Sequence, residues 1–153
     1  MKNTFILISI SFLILSCQEK KTLQKSTKQN EVITMNQIVT DYDTLIHQVK
    51  NDGNEDAYNE LFYSFMDSNK AERTDSLMIY SKIMAEKFKY EKAYFDYFKA
   101  LCEKHNIDID YPNYSSIDIS SMEKLPKKEA IYWLNKMKNE KIITIKQYNS
   151  IKK

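Results

Sequence analysis

One glycine and two prolines among 153 residues leave this chain few of the residues that strands need at their reversals. Gly and Pro are the strongest local punctuators of backbone direction. A fold of many short strands would require one or the other at most of its turns. Lys, Ile, Asn, Glu and Tyr are instead among its commonest residues. The expected class is therefore all-α, an array or bundle of about five to six antiparallel helices joined by short polar turns.

Apolar spacing places those helices. Thr34 and Gln37 have the separation of a capping box, and Met35, Ile38, Val39, Tyr42, Leu45, Ile46 and Val49 follow at three- and four-residue steps, one stripe on a first helix. Gly53 is the natural stop, being most at ease with φ > 0 after a helix C-terminus. Asn54 is a good cap for a second helix, with Glu55 and Asp56 in the first turn where the dipole favours acids. Its stripe is Ala57, Tyr58, Leu61, Phe62, Phe65 and Met66. A third helix carries Leu77, Tyr80, Ile83, Met84 and Phe88; after a joint near Lys89 and Tyr90, a fourth carries Ala93, Tyr94, Tyr97, Phe98, Leu101 and Cys102 and ends at Asn106.

One long loop is expected at about 106–120, containing "IDIDYPNYSSIDIS". Ile107 to Asp110 alternate with strand period, but Pro112 interrupts them. The segment reads as a loop packed down by Ile107, Ile109 and Tyr111. Ser120 and Glu123 again have capping-box spacing, Pro126 suits a first helical turn, and Ala130, Ile131, Trp133, Leu134 and Met137 form the next stripe. Thr144 and Gln147 cap a last short helix with Ile145, Tyr148 and Ile151.

The N-terminus is different in kind. Lys2 precedes an eleven-residue, mainly apolar run at 5–15. That is shorter than the roughly 20 residues that span a bilayer, and fits the apolar core of a secretory signal. The run ends in Ile14-Leu15-Ser16-Cys17, which resembles the lipobox of bacterial lipoproteins. The resemblance implies that the Cys17 thiol receives a diacylglycerol and that the signal is removed ahead of it. Ile14 and Leu15 depart from the commonest residues at their positions. The expected organisation is a signal peptide at 1–16, a lipidated cysteine and flexible tether at 17–31, and a single helical domain at 32–153. Residues 18–30 hold one apolar side chain, Leu23, too little to order the segment by burial. In lipoproteins of the enterobacterial type an Asp after the acylated cysteine retains the protein in the inner membrane; Gln18 points to the outer membrane.

"DGNEDAYNELFYSF", with Gly53, Asn54, Ala57 and Leu61, resembles the opening of a tetratricopeptide-like helical repeat. "EKAYFDYF" and "KEAIYWLNKM" resemble degenerate further copies, with Ala93 and Ala130 in the place of Ala57. Those alanines stand 36 and 37 residues apart, within the range of about 34–40 usual for such units. The resemblance implies a surface for protein partners and no chemistry.

Other constellations are weaker. Cys102 and His105 lie three apart, but zinc takes four ligands, or three and a water, and His47 belongs to another helix. Cys102 sits in an apolar stripe near a helix C-terminus, which raises a thiol pKa and blunts it as a nucleophile. Asp108, Asp110 and Asn113 lack the glycine and closing Glu of a calcium loop. No metal, cofactor or catalytic residue is expected. Acids and bases are interspersed with a net charge of +2, which names no nucleic-acid partner. Aromatics crowd the middle helices on more than one face, and Tyr58, Tyr63, Tyr90, Tyr94 and Phe95 are the candidate surface for a partner. The resulting expectation is a non-catalytic envelope lipoprotein, held to the membrane by covalent lipid, whose helical domain binds another protein. One version is an immunity- or inhibitor-type lipoprotein that blocks a toxin or enzyme. Readings of a different class are an envelope hydrolase with an unrecognised site, or a purely structural component of the envelope.

Overall fold

In a computed structural model, which describes residues 40–153, six α-helices follow one another: α1 Tyr42–His47, α2 Glu55–Met66, α3 Lys70–Lys87, α4 Glu91–Lys104, α5 Lys124–Asn139 and α6 Ile145–Ser150. The signal peptide, Cys17, the tether and the Thr34 cap lie outside the described residues. Among the described residues no helix is long and apolar enough to cross a membrane.

Local chemistry sets the helix starts. Asp41, Asn54 and Asn69 each accept the backbone N–H three residues on, at 3.0, 3.0 and 3.1 Å, which satisfies one of the four orphan donors at each N-terminus. Thr144 and Gln147 form the expected reciprocal capping box. Two expectations shift. Asp41 caps a helix that opens at Tyr42 and gives way to a π-helical turn at Gln48, so the described part of the first stripe is not one unbroken α-helix up to Gly53. Ser120 does not cap α5: its hydroxyl and N–H both go to Asp118, Glu123 stands at the cap, and Pro126 is the third helical residue, where no N–H partner is needed.

From α1 the chain widens into a π-helical turn, Gln48–Asp52, and stops at Gly53, whose φ is +66°. A methyl group there would overlap the Phe88 ring. Gly53→Ala combines a left-handed conformation, unfavourable by about 1–2 kcal/mol with a Cβ, with an overpacking cost of about 1–3 kcal/mol. The expected loss is about 2–4 kcal/mol in chemical denaturation; a loss of under about 0.5 kcal/mol would show that Phe88 does not pack on this glycine.

Pairings across the helices show that neighbours run antiparallel. Phe65 near the end of α2 stacks on Tyr80 in the middle of α3, while Gly53 before α2 meets Phe88 after α3. Asp75 and Arg73 early in α3 pair with Lys104 and Glu103 at the end of α4, at 2.7 and 3.4 Å. Tyr94 meets Trp133, and one turn later Tyr97 donates to Glu129 at 2.5 Å, one turn earlier in α5. The joints at 67–69 and 88–90 are three residues each, short enough to force this arrangement. Each helix packs on its neighbour in sequence, and α3 against α4 is the broadest contact.

The core is one cluster from Leu45 to Ile151 and includes Tyr58, Leu61, Met84, Phe98, Trp133, Leu134 and Met137. Ala57, Ala93 and Ala130 are all buried in it. Ala57 and Ala93 are both the third residue of their helices and have α3 between them. Ala130 is the seventh residue of α5, and the loop, not a helix, separates it from α4.

That loop contains a 3-10 turn, Tyr114–Ser116. Ile109 is buried and Ile107 half-buried as expected, but Tyr111 is 58% exposed. Tyr114, Ile117 and Ile119 complete the anchoring. Ile119 N–H donates to Lys152 C=O at 2.9 Å and Lys152 N–H to Ile117 C=O at 3.0 Å, a single parallel bridge that ties the loop to the C-terminal tail.

Candidate functional site

The five candidate aromatics separate into two environments. Tyr58 and Tyr94 are each 1% exposed and belong to the core, so a partner surface that includes them is not what the fold presents. The reason is the helical stripe: both lie in register with Ala57 or Ala93, Leu61 or Phe98. Tyr90 is half-buried, its edge on Tyr58 at 5.7 Å and its hydroxyl accepting from Asn59 at 3.3 Å. Tyr63 is 48% exposed beside Phe62. Phe95 is half-buried, with Tyr111 at 4.4 Å and Tyr114 at 6.0 Å between ring centres.

Phe95 and Phe62 are two walls of a groove of about 390 Å³ between α2, α4 and the loop, completed by Tyr111, Lys92, Asp96 and Lys99. Asp96 is a buried carboxylate at its floor. The Tyr58 hydroxyl donates to it at 2.8 Å, and Lys92 Nζ lies 2.6 Å from the same oxygen. Lys92 is one turn before Asp96 on α4, the spacing at which such side chains meet. Its ammonium also sits 3.5 Å from the centre of the Phe62 ring, a cation–π contact. Burial is the largest influence on Asp96 and raises its pKa, with Lys92 and the Tyr58 hydrogen bond opposing it. Burial and then the Asp96 charge push the Tyr58 phenol up as well, so it remains a donor. Lys99 is looser, 3.9 Å from Glu103, which Arg73 also approaches at 3.4 Å.

Tyr58→Phe deletes one of two donors to a buried carboxylate, worth about 1–3 kcal/mol. The lost bond favours the ionised form, so the deficit should shrink as pH falls through the Asp96 titration. Urea unfolding of both proteins across the acid range measures it; a deficit flat with pH would mean that Tyr58 does not bond the carboxylate.

Two other hollows are lined mostly by polar and charged residues. One lies where Lys70, Thr74 and Asp75 face Glu103 and Lys104, the other where Asn113 and Ser115 face α6. Cys102 is buried, and burial followed by the charge of Glu103 pushes its thiol up to about 12. His47 lies 3.9 Å from Asp52; Asp108 and Asp110 are exposed, and Asn113 accepts from Ser115 at 2.7 Å. Among the described residues, no three His, Cys, Asp or Glu side chains are grouped so as to hold a metal ion.

Sequence reasoning missed Lys92, Asp96, Lys99 and the exposure of Tyr111. The i, i+4, i+7 series of Lys92, Asp96 and Lys99 on one side of α4 was the available signal. Comparison with family models, with curated proteins and with solved structures finds no match to this chain.

Proposed function

We propose that this chain is an envelope lipoprotein, acylated at Cys17, whose helical domain binds a protein partner and performs no chemistry of its own. Acylation would hold it at the membrane, the outer one on the strength of Gln18, with residues 18–31 as the tether. The observation that carries the binding reading is the groove: three aromatic rings, one of them Tyr111 on a surface loop, around polar groups already engaged with one another. Solvent-facing aromatic clusters are the usual anchors of protein contacts, and Asp96, held by two donors, leaves contact area and not a free base as the groove's offer. The array of helices that each pack on the next in sequence is compatible with a repeat-like origin, and the matching positions of Ala57 and Ala93 favour it for the first two units.

The test compares the full chain with a Tyr63→Ser, Tyr111→Ser double variant, both cross-linked in cells and purified in detergent. A protein recovered with the parent and lost with the variant supports the reading. Recovery of no partner, or equal recovery with both, overturns it.

A further inference from the structure

The groove has chemistry enough to define its occupant. Its walls are the rings of Phe62, Phe95 and Tyr111, and its volume of about 390 Å³ admits a large apolar side chain together with the chain on either side of it. Its polar side is not neutral. Its lining carries two cations, Lys92 and Lys99, and one carboxylate, Asp96, leaving one positive charge in excess. The excess falls on Lys99. Lys92 has a close partner at 2.6 Å and an aromatic face at 3.5 Å. Glu103 is shared, with Arg73 nearer at 3.4 Å and Lys99 farther at 3.9 Å. Lys99 lines the groove, and its side chain is about one-third exposed. Asp110, beside Tyr111, is exposed and lies outside the lining.

Building on the partner-binding reading above, we infer that the groove takes a large apolar side chain, Trp, Phe or Leu, from an acidic segment of a protein partner, with a carboxylate next to that side chain pairing with Lys99. The apolar side chain supplies buried area between rings that already stand in place, and the carboxylate supplies direction by meeting an under-used cation at the edge of a partly desolvated site. A basic segment would set its charge against Lys92 and Lys99, and a purely apolar one would leave Lys99 half-buried with its shared partner.

Three immobilised nonapeptides of Gly and Ser, with central Glu-Trp-Glu, Lys-Trp-Lys or Glu-Ser-Glu, test this by interferometry against the full chain in detergent. Glu-Trp-Glu should bind best, with Lys-Trp-Lys and Glu-Ser-Glu each weaker by about tenfold or more. Tyr111→Ser and Lys99→Gln, both at solvent-accessible positions, should each weaken Glu-Trp-Glu by about tenfold, and the Lys99 effect should fade at high salt. Equal binding of the three peptides, no binding of any, or variants that bind like the parent would overturn the inference. A partner recovered in cells but insensitive to Lys99→Gln would sink this assignment while leaving the broader reading intact.

Discussion

Trp133→Ala should lower the unfolding free energy by about 3–5 kcal/mol, the range for deleting a large aromatic from a packed core. Trp133 is 1% exposed. Its ring stacks on Tyr97 at 4.1 Å and meets Tyr94 edge-on at 6.0 Å, and Lys136 Nζ lies 5.0 Å over it. The two ring contacts join α4 to α5, and the Tyr97 hydroxyl reaches Glu129 from the same place. Alanine would therefore remove the largest side chain in that seam and leave a cavity bounded by two rings whose own positions depend on it. Trp133→Phe keeps most of the apolar area and should cost roughly half as much. Trp133 is the chain's one tryptophan, so the measurement is denaturant unfolding followed by far-UV circular dichroism. A loss below about 1 kcal/mol would be typical of a surface site and incompatible with the α4–α5 packing described.

Cys17→Ser should abolish palmitate incorporation and leave residues 1–16 attached. Each buried methylene of an acyl chain contributes about 0.8 kcal/mol of membrane affinity, and two or more chains hold a protein in place for practical purposes. A serine hydroxyl is not the thiol on which the lipobox resemblance depends. Fractionation alone would be an ambiguous readout, because the uncleaved run at 5–15 keeps its own affinity for a bilayer. The decisive measurements are metabolic labelling with radioactive palmitate and the mass of the N-terminal peptide. Label retained by the serine variant, or a parent chain that begins elsewhere than Cys17, would end the lipoprotein reading.

The helices were legible because their signals are local. The stripes of α2 and α4, the caps at Asn54 and Thr144, and the stop at Gly53 each depend on residues within about one turn of one another. The groove was not legible, because it depends on distant partners. Asp96 looks like a charge out of place in an apolar stripe until Tyr58, 38 residues earlier, is set beside it. Tyr111 was expected to pin the loop down, but Tyr114, Ile117 and Ile119 do so, and Tyr111 turns outward against Phe95. Ser120 carried a cap motif, yet Asp118 two residues away was the nearer acceptor, a competition that short polar side chains often win in turns. Among the aromatics, helical phase separated Tyr58 from Tyr63, but the number of rings obscured which face was outermost.

The bridge between the loop and the last residues has a consequence for anyone who handles this protein. Ile151 is buried, and Lys152 holds Ile117 and Ile119 by two backbone bonds, so the stretch from 117 to 152, α5 and α6 included, is fastened like a buckled strap. Deleting residues 151–153 would undo the buckle and slacken the loop that carries Tyr111, far along the chain from the change.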